Sequence, residues 1–343
     1  MAALRPRSDV RGRRTLAALA LAGGVALLAA LAIGSVAVPV TELAAALTGR
    51  ADPVAEAVLQ LRLPRALSAF AVGGLLALSG AILQALLRNP LADPYVLGIS
   101  GGAAVAALGA LAFGASLALM QVASALGALA TLALLFALAH RALFLRGYST
   151  AALPGEEAST RVLLTGVMIA AFCSALLSVV LTLAADAQLR TMVFWLLGDL
   201  GGATELPQAL AALAVLAAGL LLAARRARAL NLMLRGDVQA VTQGVDVERH
   251  RRLLVLIAAF ATGSAVMLAG AVGFVGFVAP HLLRLAIGND QRFLLPAAAL
   301  AGGVLVLAAD TVARTAFAPL QLPVGVVTAL VGVPAFLWLL ARR

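Results

Sequence analysis

The chain contains no lysine, and all 25 of its basic residues are arginine. A phosphate-binding P-loop needs a lysine to reach the nucleotide's phosphates, so the sequence holds no such ATPase site of its own. One cysteine, Cys173, and three histidines, His140, His250 and His281, exclude a disulfide framework and a multi-ligand metal cage within one chain. A metal handled here would be cargo. Charged residues are only 12% of the total, and no polar stretch is long enough to form a separate soluble domain.

What is present is apolar surface. Hydrophobic residues make up 63% of the chain and its mean hydropathy is +1.06, far above a soluble domain. An all-α polytopic membrane protein follows, because a chain of apolar runs about 20 residues long satisfies its backbone in lipid only as helices. Ten spans are expected, near 15–38, 65–87, 96–114, 118–140, 162–184, 206–224, 253–271, 273–288, 293–311 and 325–341. They form one permease domain, 15–343, behind a basic tail, 1–14. The first, second, third, fifth and seventh spans lack Asp, Glu, Arg and His away from their ends. A proton- or ion-coupled transporter works through ionisable groups inside the membrane, so gradient coupling has few to use.

Net charge is +10, and the arginines cluster in short loops, which suits a membrane face and its lipid better than nucleic acid. With both termini cytoplasmic, 20 arginines lie inside and five outside: Arg50, Arg62, Arg65, Arg190 and Arg314. The positive-inside rule favours that orientation. Arg5, Arg7, Arg11, Arg13 and Arg14 precede the first run, as in a signal peptide, but a run of this length is expected to stay as a first span. Trp195 and Trp338, near span ends, are expected to be interfacial anchors. His281 is expected to pack and hydrogen-bond inside a glycine-rich span.

Between the second and third spans lies LRNPLADPYVLGISGGA, 87–103. Pro90 and Pro94 forbid a continuous helix, and Gly98, Gly101 and Gly102 permit close backbone approach. The segment is a tight cytoplasmic turn or a gate, since unwound backbone at membrane depth must be covered by protein or line a path. The longest cytoplasmic connection, RARALNLMLRGDVQAVTQGVDVERHRR at 226–252, places Val238, Val241 and Val245 at i, i+3 and i+7. That spacing gives one apolar stripe on a short helix, which Gly244 could divide. Such a stripe would dock on a soluble partner. The other reading rests this loop on anionic lipid through Arg235, Arg249, Arg251 and Arg252.

The segment RLPRALSAFAVGGLLALSGAILQALLRNPLADPYVLGISGGA (62–103) resembles the FecCD family of permeases in ATP-binding-cassette (ABC) importers, which move ferric siderophores, haem and cobalamin. GFVGFVAPHLLRLAIGNDQRFLLPAAALAGG (273–303), ADTVARTAFAPLQLPVGVVTALVGVPAFLWLL (309–340) and FWLLGDLGGA (194–203) fit the same family in order and spacing. The resemblance implies a type II importer permease that pairs with a second copy, two ATP-binding subunits below and a periplasmic or lipoprotein substrate-binding protein above. It implies no cofactor in this chain, the ATP being held by the partner subunits. The location implied is the bacterial inner membrane.

Site roles also follow from the resemblance. Asn89 and Leu91 would form a cytoplasmic gate. Asp237, Val238, Val241, Gly244 and Val245, within a coupling loop at about 229–252, would meet the ATPase. Arg62 and Arg314 would meet acidic residues of the binding protein, although Arg314 follows Asp310 at helical spacing and a plain internal pair fits equally. Arg190 is a pathway candidate or a headgroup contact. The expected function is import of a metal chelate by alternating access, against an ion-coupled secondary transporter or an exporter or channel without a binding protein.

Overall fold

The structure is a computed structural model that describes residues 5–34, 37–47, 50–143, 154–203 and 205–341. The described residues form helices without a strand. In chain order these are α1 (Arg5–Ala32), α2 (Val40–Leu47), α3 (Pro53–Leu86), α4 (Ile99–Ala112), α5 (Leu117–Leu143), α6 (Pro154–Leu183) and α7 (Asp186–Leu196). There follow α8 (Leu206–Ala224), α9 (Ala227–Met233), α10 (Asp237–Thr242), α11 (Val247–Ala269), α12 (Val275–Ile287), α13 (Gln291–Thr315) and α14 (Val324–Ala341). Seven of them, α1, α3, α5, α6, α8, α11 and α13, contain segments long and apolar enough to cross a membrane. With the shorter apolar segments in α4, α12 and α14 they correspond to the ten expected runs. The protein is an all-α polytopic membrane protein.

Helix α3 is the axis of the bundle. Its most apolar window is 89% buried, against 6% for α1 and 17% for α6, which face outward. It packs on α13, α11, α8 and α12. Lipid supplies little hydrophobic drive between helices, so such contacts depend on close approach and dispersion. Glycine provides that approach. A β-carbon on Gly73 would overlap the carbonyl oxygen of Gly302 in α13, and one on Gly80 would overlap that of Gly276 in α12. Gly102 of α4 and Gly127 of α5 meet in the same way. A buried polar contact also ties α3 to α11: the Ser79 hydroxyl lies 2.9 Å from the Ala258 carbonyl and 2.8 Å from the Thr262 hydroxyl.

Helix α3 starts at Pro53, well ahead of the expected span at 65, and runs through Pro64. Arg62 and Arg65 therefore lie on a helix rather than in a loop. An apolar window stops at them because it does not see that both side chains are partnered. Trp195 is buried rather than interfacial, 7% exposed, in α7, with its backbone against Gly270. The side chain of Trp338 lies outside the described residues. His281 is buried beside Phe277 and Phe336.

Helix α12 has 13 residues and rises about 20 Å, less than the roughly 30 Å of a hydrocarbon core. The irregular backbone between α11 and α12 must then be covered by protein. The Ala269 carbonyl accepts from the Asp199 amide at 2.9 Å, and the Val272 amide donates to the Tyr95 hydroxyl at 2.8 Å. Gly80→Val should push α12 off α3 and remove the monodisperse peak in detergent size-exclusion chromatography. Gly109→Ala, where nothing lies within 4 Å of the added methyl, should keep the peak and raise the thermal midpoint slightly, the helix gaining up to about 1 kcal/mol.

Candidate functional site

Two polar centres sit at opposite ends of α3. The one at its C-terminal end is built around 87–98, which does not simply turn at the surface but folds back into the bundle. Ala92 and Pro94 are buried, and Pro94 lies against Gly276. The Gln84 amide nitrogen donates to the carbonyls of Ala92 at 3.3 Å and Phe277 at 3.2 Å, joining the end of α3 to this turn and to α12. Asp93 accepts from the Tyr95 amide at 2.8 Å and starts a single 3₁₀ turn, Pro94–Leu97, which Gly98 ends with φ 75°. Burial pushes the Asp93 carboxyl up to about 6, the hydrogen bond from Tyr95 opposing it. At the outer lip of the turn Asn89 accepts from the Leu91 amide at 2.9 Å, and the Leu91 side chain is 51% exposed. Leu91 is thus an apolar side chain that this chain alone leaves uncovered.

The loop after α8 forms two short helices, α9 and α10. Gly244, at φ 79°, ends α10, and the Val245 amide returns to the Ala240 carbonyl at 3.0 Å. That reversal corrects the expected stripe. Val238 and Val241 are 71% and 45% exposed, whereas Val245 turns inward onto a small core of Met233, Ala240 and Val247. The i+7 spacing assumed an unbroken helix, but α10 is six residues long. Asp237 also faces inward. It accepts from Arg88 at 2.6 Å through one carboxylate oxygen and from Arg251 at 2.8 Å through the other.

The second centre, near the N-terminal end of α3, holds three arginines and one carboxylate. Asp310 is 1% exposed and accepts from Arg65 (Nε 3.0 Å, Nη2 2.9 Å) and from Arg314 (Nε 3.0 Å). Arg65 also donates to Gln321 at 2.9 Å. Arg314 reaches the Ala30 carbonyl at 3.1 Å, and Arg62 reaches those of Leu31 at 2.8 Å and Ala32 at 3.3 Å. The last carbonyls of a helix have no partners within it and carry its negative dipole end, so these two cations close α1. Arg62 and Arg314, for which the family resemblance implies a docking role, are therefore engaged within the chain, and Arg314 forms the i, i+4 pair left open above. Sequence reasoning gave Arg65 no role. The available signal was the Arg-x-x-Arg spacing, which puts Arg62 and Arg65 on one face of a helix. Arg190 is exposed on α7, its guanidinium 5.5 Å from the Phe194 ring.

This architecture, a bundle of ten apolar helices around a glycine-lined axis with short helices at one end, is that of an ABC-importer permease. Residues 23–342 match the FecCD transport family, and the chain belongs to that family. It is 41% identical over 291 residues to the hemin transport system permease protein of Yersinia pestis, covering 83% of each chain. It is also 41% identical over 288 residues to the vitamin B12 import system permease protein of Serratia proteamaculans, covering 83% of this chain and 82% of that one. A solved structure described as an inward-facing metal-chelate type ABC transporter superposes with a TM-score of 0.81 at 28% identity, over 97% of this chain and all of the other.

Asp310→Asn should leave two guanidinium groups, both largely buried, around a neutral amide. Removing one partner of such an ion pair costs about 3 kcal/mol. The expected result is a clear fall in the thermal midpoint in detergent, with membrane insertion unchanged.

Proposed function

We propose that this chain is the membrane-spanning subunit of an ATP-driven importer that carries a metal chelate, in the class of haem, cobalamin or a ferric siderophore, across a bacterial inner membrane. The observation that carries the reading is the family match over nearly the whole chain, together with relatives whose named cargoes are hemin and vitamin B12. Two copies form the path between them, and both termini face the cytoplasm. Two ATP-binding subunits dock beneath, and a substrate-binding protein delivers cargo from outside. The chain holds no cofactor. Binding and hydrolysis of ATP in the partner subunits drive alternating access.

Particular residues take these roles. Asn89 and Leu91, with their counterparts in the second copy, close the inner end. Val238 and Val241 meet the ATPase, because they are the exposed apolar residues of α10. Gly244 ends that helix, and Val245 anchors it from inside. Within this cluster Arg62, Arg65 and Arg314 against Asp310 leave two positive charges in excess, three minus one. That field steers an acidic binding protein and sets association rate more than affinity, while the side chains keep their internal contacts. Arg190 lines the outer approach.

Val241→Asp would put a carboxylate into the ATPase contact, at a cost of a few kcal/mol where it is buried without a partner. Capture of the ATPase subunit on the purified permease should fall by about tenfold or more, with insertion and the size-exclusion profile unchanged. Capture at the wild-type yield would reject α10 as the contact and, with it, the ATP-driven reading of this loop.

A further inference from the structure

The inward-facing carboxylate of Asp237 joins three segments that are distant in the chain. Arg88 lies just beyond the end of α3, in the turn that leads to Leu91. Its Nη2 donates to Asp237 at 2.6 Å and also to the carbonyl of Met233, the last residue of α9, at 2.8 Å. Arg251, in the first turns of α11, holds the other oxygen of Asp237 at 2.8 Å. Beside this network Ala240, the buried face of α10, packs in a small core that includes Leu86, the last residue of α3. Coupling helix and gate turn are therefore in direct contact.

Arg88 has φ 49°, in the left-handed region where a β-carbon is disfavoured and glycine is the usual residue. An arginine at this position keeps a strained backbone in return for its side-chain contacts. Beyond it the turn is internally braced. The Asn89 amide donates to the Gln84 carbonyl at 3.2 Å, Ala92 donates to the Asn89 carbonyl at 3.1 Å, and Asn89 accepts from Leu91. A displacement applied to Arg88 reaches Leu91 because the intervening turn has little freedom to absorb it.

We propose that Asp237 is a positioning residue that ties coupling helix α10 to the gate turn through Arg88 and to α11 through Arg251, so that a push on α10 moves Leu91. This rests on the ATP-driven reading above. It separates two jobs within one short helix: Val238 and Val241 receive the ATPase on the outer face, and Asp237 passes the motion inward.

The test follows the gate without any cargo. Cys173→Ala removes the native thiol, Leu91→Cys introduces one at the gate, and an impermeant maleimide labels it in the assembled transporter with and without ATP and vanadate. A change in labelling rate with ATP in this background supports the ATP-driven reading, and no change refutes that reading independently of Asp237. Given the change, Asp237→Asn and Arg88→Gln should each shrink the ATP-induced difference about fivefold. The double variant should be no worse than either single, and Asp237→Glu should recover most of the response. A residue that merely stabilised the fold would lower yield without separating ATP hydrolysis from gate labelling. An undiminished gate response in both single variants, losses that multiply in the double, or failure of every variant to assemble would overturn the proposal.

Discussion

Close contact between helix backbones is the constraint on which the rest of this structure depends. Water drives apolar helices together in a soluble protein, but lipid is as apolar as the side chains it would release. Attraction between spans must come from surfaces that approach closely enough for dispersion to count, and a methyl group in the wrong place prevents that. Gly73 against Gly302 and Gly80 against Gly276 hold α13 and α12 on α3 at backbone distance. The axis of the bundle is set by residues that contribute no side chain.

A rigid α3 has consequences at both of its ends. Near its start it presents Arg65 to a buried aspartate on α13 and Arg62 to the end of α1. Its last turn presents Gln84 to the irregular segments, and two residues past its end Arg88 reaches α10. The polar chemistry of the chain is concentrated at these ends. On the proposed function, a passage for a bulky chelate between two copies would need no fixed ligand along its walls. It would need a frame whose two closures can be moved from outside the membrane, and in that reading the partnered charges would serve as attachment points.

Much of this was legible in the sequence, for reasons that differ by residue. Ten apolar runs locate ten helices because hydropathy is a local property. The beginning of α3 was not legible, since Arg62 and Arg65 end an apolar window although their partners, in α1 and α13, make them acceptable in a helix. Trp195 was read from its position near a span end, whereas its burial depends on the approach of Gly270 from another helix. Periodicity put Val238, Val241 and Val245 on one stripe, but only Val238 and Val241 share the exposed face of α10, because Gly244 reverses the chain before Val245. The inward turn of Asp237 needed Arg88, 149 positions earlier, which no local pattern reveals.

The central claim is that ATP hydrolysed by separate subunits, and no ion gradient, drives cargo through a pair of these chains. Proteoliposomes containing the permease, its ATPase and its binding protein give the direct measurement, with uptake of haemin and cobalamin followed in the presence of a protonophore. The account predicts uptake of one of these chelates that requires ATP and the binding protein and continues after the proton gradient has collapsed. Uptake that proceeds without the ATPase and stops with the gradient would contradict it.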